Sequence, residues 1–162
     1  MSRTNRKFSQ AGVTTVEFAI IGAVVLLVLF AVIEVGRTVF ALNTLVETTR
    51  RTARIATVCP INDPAIQEVA MLNAPGSGTV NRILRDFTPA NIAVEYLTRT
   101  GNVIADPTTN FAQIFFVRAR IVNYQHEMLI PFVAAFLPVP EYATTLRRES
   151  LGVPRDGTIQ PC

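Results

Sequence analysis

An α+β fold is what the sequence predicts: one long amino-terminal helix, half of it membrane-spanning and half protruding and amphipathic, packed on a small antiparallel sheet. Three observations carry this. Uncharged, almost wholly apolar residues run without a break from Phe18 to Ile33. No proline occurs between Val13 and Val58, so nothing interrupts a helix there. Beyond Cys59 the apolar spacing changes from that of a helix to the alternation of strands.

Residues 1–12 form a basic leader, with Arg3, Arg6 and Lys7 and no acidic residue. Residues 13–34 follow as a transmembrane helix, because a bilayer needs about 20 apolar residues at 1.5 Å rise each. The positive-inside tendency puts the leader in the cytoplasm and the rest of the chain outside. Arg37, Arg50, Arg51 and Arg54 lie on the far flank, but a domain of about 100 residues translocates whatever its charge. After Phe30 the chain reads Ala31-Val32-Ile33-Glu34-Val35-Gly36-Arg37, with no small-x-small site for a secretory signal peptidase. Glu17 is the anomaly, since a carboxylate at the hydrocarbon edge costs on the order of 2 to 3 kcal/mol on insertion scales. Either headgroups solvate it or it has a partner.

Residues 35–58 continue the helix outside the membrane. Val35, Val39, Leu42, Val46, Thr49, Ala53 and Ala56 form a stripe at spacings of three and four, while Asn43, Glu47, Arg50, Arg51 and Arg54 lie away from it. Cys59-Pro60 ends the helix, and residues 59–162 make the small α+β domain. Pro64 to Asn73 reads as a short helix capped by Asp63, Pro75-Gly76-Ser77-Gly78 as a joint, and Thr79 to Phe87 as another helical turn or two. Ile92, Val94 and Tyr96 mark a first strand, Phe111 to Tyr124 a long second one, and Tyr142 to Leu151 a weaker third. Thr100-Gly101-Asn102 and Asp106-Pro107 are turns. In the second strand Phe115, Val117, Ala119 and Ile121 share the buried face, and Arg118 and Arg120 the wet one.

Met128 to Pro140 is too apolar for an ordinary loop. It reads as satellite core under the sheet or, through Phe132, Phe136 and Leu137, as a surface for a partner or the membrane. Cys59 and Cys162 stand at the two ends of a marginal core, where a disulfide in an oxidising compartment would stabilise it. Two free thiols or a lipid-modified Cys59 are the alternatives. The single histidine, His126, sits in a polar island and reads as a surface or hydrogen-bonded residue. With no phosphate-binding glycine loop, no metal-ligand cluster and no nucleophile–base pair, the pattern points away from an enzyme, a cofactor or a small-molecule substrate. The net charge of +3 resides in the leader, whose removal leaves twelve basic and twelve acidic residues. Nothing in that balance suggests nucleic acid.

Gly12-Val13-Thr14-Thr15-Val16-Glu17-Phe18 resembles the processing site of type IV prepilins and pseudopilins. Thr15-Val16-Glu17-Phe18-Ala19-Ile20, Ile33-Glu34-Val35-Gly36-Arg37, Asn43-Thr44-Leu45 and Arg51-Thr52-Ala53-Arg54-Ile55-Ala56 together resemble the amino-terminal block of TadE-like pseudopilins of tight-adherence (Flp) pilus systems. A looser likeness covers Thr144 to Glu149. The resemblance implies a pseudopilin-like fold and a minor pilin or pseudopilin of the bacterial inner membrane, single-pass, with a periplasmic carboxyl-terminal domain. It also implies that a prepilin peptidase cuts between Gly12 and Val13. The new α-amino group of Val13 would then pair with Glu17 of an adjacent subunit, and Glu17 and Phe18 would serve assembly. Other pilin subunits, inner-membrane assembly proteins and membrane lipid are the implied partners. The alternative is a signal-anchored periplasmic binding or scaffolding domain of an envelope complex.

Overall fold

The computed structural model describes residues 11–129, 136–153 and 157–162. Helix α1, Ala11–Val58, is continuous over 48 residues, a length of about 72 Å. From Thr14 to Ile33 every side chain except the half-buried Gly22 is exposed. That bare stretch is about 30 Å long, the thickness of a bilayer's hydrocarbon, and the helix is long and apolar enough to cross a membrane.

The outer half of α1 buries the carboxyl-terminal part of the expected stripe, Thr49, Ala53 and Ala56, but not its amino-terminal valines. Val35 and Val39 are 64% and 51% exposed, whereas Ala41, Leu45, Thr48, Thr49, Thr52, Ala53 and Ala56 are buried. Small size and local hydrogen bonding explain the difference. Thr49 and Thr52 donate their hydroxyls to the helix carbonyls of Val46 and Thr48, each at 2.8 Å, so they bury as compact, internally satisfied groups. This lets the sheet approach closely enough for Thr49 Oγ1 to reach Thr144 Oγ1 at 2.9 Å.

Helix α2, Pro64–Ala70, starts where expected, with Asp63 accepting the Ala65 N–H at 2.9 Å. It ends three residues early, because Leu72 takes a positive φ of 62°. Thr79 to Phe87 forms no helix. The Asn81 carboxamide accepts the N–H groups of Ile83 and Leu84 at 2.8 and 2.7 Å, a local bond that competes with helical ones. Leu84 and Phe87 are nonetheless buried, Phe87 edge-on to Tyr124 at 5.4 Å.

The main sheet has strands β1 (Ile92–Leu97), β2 (Phe116–Ile121) and β5 (Ala143–Arg147), antiparallel in the order β1-β2-β5. Strands β3 (Gln125–Glu127) and β4 (Phe136–Pro138) pair separately. The long strand expected over Phe111 to Tyr124 is shorter, preceded by a 3-10 turn at Phe111–Gln113 and stopped by Asn123 at φ 52°. The third is likewise confined to Ala143–Arg147. Val117, Ala119 and Ile121 are buried as their alternation requires, but Phe115, just outside the strand, is 37% exposed. On the wet face Glu95 lies opposite Arg118 and accepts from Arg118 Nε and Arg120 Nε, both at 2.8 Å. Burial pushes the Glu95 carboxyl up, yet the two arginines outweigh it and hold the group below its ordinary range.

Two core clusters result. One joins Ala41 and Leu45 of α1 to Met71, Leu84, Phe87, Ile121 and Tyr124; the other joins Ala56 and Cys59 to Ile66, Tyr96, Ile114, Val117 and Leu151. Burial in the second raises the Tyr96 hydroxyl to about 12. The segment after β5 closes the end of α1. Leu151 N–H donates to Thr57 O at 3.1 Å, and Ser150 Oγ donates to Val58 O at 3.0 Å, satisfying carbonyls that a helix end leaves open. Gly152 makes this possible with a φ of +75°, and a Cβ there would lie 2.4 Å from Pro60 Cγ. Gly152→Ala is expected to destabilise the domain by about 1 to 3 kcal/mol, from the positive φ and the clash together. Urea unfolding of the full chain in detergent checks this, and an unchanged midpoint would refute it.

Candidate functional site

The residues singled out by sequence fall into four places. Gly12 and Val13 lie in the first turn of α1, and the leader residues Arg3, Arg6 and Lys7 fall outside the described residues. Glu17 and Phe18 stand near the start of the bare stretch. Both are exposed, Phe18 at 77%, and Glu17 makes no ion pair among the described residues. Of the apolar stretch after β3, Phe132 lies outside the described residues, while Phe136 and Leu137 have their backbone in β4. Val139 packs against the first core cluster, and Leu129 is 50% exposed.

Where α1 leaves its bare stretch the structure places a second carboxylate. Glu34 is 4% exposed and satisfied within its own chain. One oxygen accepts from Arg37 Nη1 at 2.8 Å, the other from the Leu129 backbone N–H at 3.1 Å. Two glutamates on one helix, about 26 Å apart along its axis, thus have opposite situations. Glu34 fastens the domain to the helix, and Glu17 is presented outward. The i, i+3 spacing of Glu34 and Arg37 was a visible signal for the first half of that contact. The Leu129 half joins residues 95 apart in sequence, which no local pattern indicates.

At the other end of the domain Cys59 and Cys162 are bonded, with their Cα atoms 5.7 Å apart. Asp63 serves both structures there: one carboxylate oxygen caps α2, and the other accepts the Cys162 N–H at 3.1 Å.

His126 corrects its sequence reading. It is 7% exposed, and its Nε2 has no hydrogen-bond partner among the described residues. The polar neighbours that suggested a surface site point elsewhere because β3 turns this one side chain inward. Asp106, in its turn, is held near 2 by hydrogen bonds from Thr108 and Thr109. Those bonds stay within the loop. Among the described residues no group of three or more His, Cys, Asp or Glu is placed to hold a metal ion.

Set beside known proteins, residues 12–54 match the model of the TadE-like protein family. No curated protein and no solved structure matches the chain. The matched stretch begins at Gly12, takes in Glu17 and Phe18, crosses the Glu34–Arg37 pair and ends within the half of α1 that packs on the sheet. The family is one of structural pilus components and not of enzymes. Over residues 12–54, therefore, the chain is similar to the TadE-like family, a family of tight-adherence pilus systems.

Proposed function

We propose that this chain is a minor pseudopilin of a tight-adherence pilus, cut by a prepilin peptidase after Gly12 and seated in the pilus machinery through the bare half of its helix. The observation that carries the reading is the exposed apolar stretch Thr14 to Ile33 with its single carboxylate, Glu17, near the amino-terminal end. A helix with no partner among the described residues along about 30 Å must be covered by lipid or by other helices. Removal of the basic leader leaves a chain whose amino terminus can enter such a bundle. The Cys59–Cys162 bond agrees with a domain in an oxidising compartment, which supports a reading with a periplasmic domain and a cytoplasmic leader. The partners are the peptidase, other pilin subunits and inner-membrane assembly proteins.

Amino-terminal sequencing of the membrane-associated protein tests this directly. A chain beginning at Val13 is the expected result, and an intact leader would return the protein to a signal-anchored envelope domain. Gly12→Val is expected to block shortening entirely, because a branched side chain does not fit a site built for a residue without Cβ. Normally shortened protein in that variant would refute the site.

A further inference from the structure

The domain carries a cleft where it meets the end of the bare helix. Its volume is about 240 Å³, and Arg37, Phe40, Ile83, Arg85, His126 and Glu127 are among its lining. Arg37 and Phe40 lie about 6 and 10 Å beyond Ile33 along the helix. With the hydrocarbon ending near Ile33, Arg37 stands within the headgroup layer, which is roughly 5 to 8 Å deep on each side of a bilayer, and Phe40 just beyond it. The skin around it is apolar as well: Phe40, Ile83 and Leu129 are 58%, 51% and 50% exposed, and the Leu129 N–H is tied to Glu34 at the helix exit.

The polar groups in the cleft carry both signs and are loosely committed. Arg37 spends one nitrogen on Glu34, at 2.8 Å. Arg85 is 63% exposed and meets Glu127 only at 3.5 Å and Asp86 at 3.7 Å, weak pairs that a ligand can replace at little cost. His126, over nine-tenths buried, contributes a nitrogen with no partner among the described residues. An unpaired buried polar atom is a standing cost that a bound acceptor or donor removes.

We propose that this cleft binds the headgroup of a zwitterionic aminophospholipid from the leaflet the helix exits. The phosphate is held by Arg37, Arg85 and His126, and the ammonium by Glu127. Leu129, exposed beside the helix exit, faces the glycerol and upper acyl chain. A phosphate alone would leave Glu127 against a negative charge, and a choline headgroup has no N–H to give it, so the pair of signs selects an amine. The proposal rests on the membrane-spanning reading above.

The test uses the full chain in nanodiscs made of equal parts phosphatidylethanolamine, phosphatidylcholine and phosphatidylglycerol, with retained lipid counted by native mass spectrometry. Wild type is expected to keep phosphatidylethanolamine about fivefold over phosphatidylcholine, the scale of one favourable charge pair. Glu127→Gln is expected to bring that ratio to about 1, and Arg85→Ala and His126→Gln each to lower total retained lipid about fivefold. Arg85 and Glu127 are exposed enough that their variants keep the fold, which circular dichroism verifies for all three. Equal retention in wild type and variants overturns the proposal, as does a preference for phosphatidylglycerol or loss of the lipid to inorganic phosphate. Wild type that keeps no lipid while Arg85→Ala lowers its self-association overturns it in favour of a subunit contact. A chain that enters nanodiscs yet shows no such selectivity defeats the cleft alone; one that does not enter them defeats the membrane reading as well.

Discussion

Replacing Cys59 and Cys162 together by serine is expected to destabilise the domain by about 2 to 5 kcal/mol. The two sulfurs join residues 103 apart in sequence, so the bond constrains almost the whole domain in its unfolded state. For a loop of that size the chain-entropy contribution approaches about 4.7 kcal/mol. A second effect acts in the folded state. Cys59 is fully buried in the core cluster with Tyr96, Ile114 and Val117, and a serine hydroxyl there needs a hydrogen bond that a sulfur does not. Losing the bond also loosens Cys162 from Asp63, whose other oxygen caps α2. Reduction of the wild-type chain isolates the constraint from the burial effect, since it leaves Cys59 in place. Urea unfolding of full-length protein in detergent measures both. A loss of unfolding free energy below about 0.5 kcal/mol on reduction would show that the domain holds together without its bridge.

Glu17→Gln is expected to be cut normally, to remain in the inner membrane and to fail to join the pilus machinery. The amide has nearly the shape of the carboxylate and costs less to bury, so a role limited to the headgroup layer would leave every property unchanged. If Glu17 instead neutralises the α-amino group of Val13 on a neighbouring subunit, the substitution strands that charge in a helix bundle, at about 3 to 5 kcal/mol. The stability of the domain should not move, because Glu34, about 26 Å further along the helix, is where the domain begins. Co-purification of the variant with pilus-system proteins, together with a count of surface pili, decides the matter. Wild-type levels of both would refute the pairing role. Defective cleavage would show that the peptidase reads Glu17.

The contrast between Glu17 and Glu34 illustrates how far a local reading reaches. Both are acids beside an apolar run, and in sequence Glu34 simply marked where the membrane segment ends. The fold makes it a buried anchor, because β3 delivers the Leu129 N–H to it from 95 residues away. His126 was misread for a related reason. Its neighbours in the chain are polar, and burial depends on which way a three-residue strand faces. On the outer helix the expected stripe holds at Thr49, Ala53 and Ala56 and fails at Val35 and Val39, since threonines bonded to their own helix allow the sheet closer contact.

What the sequence by itself determined is whatever depends on composition and spacing within a few turns. The uninterrupted helix, the bare apolar length with Glu17 near its start, the α2 cap at Asp63, the β1 segment and the alternation of β2 all follow from neighbours less than about ten residues apart. Steric and hydrogen-bonding preferences at that range act the same in any fold. Tertiary structure alone decided how far the buried stripe of α1 extends, the closure of its end by Ser150 to Gly152, the fastening of Glu34, and the cleft holding Arg37, Arg85, His126 and Glu127. Each of these joins parts of the chain far apart in sequence, and their geometry exists only once the sheet has packed on the helix.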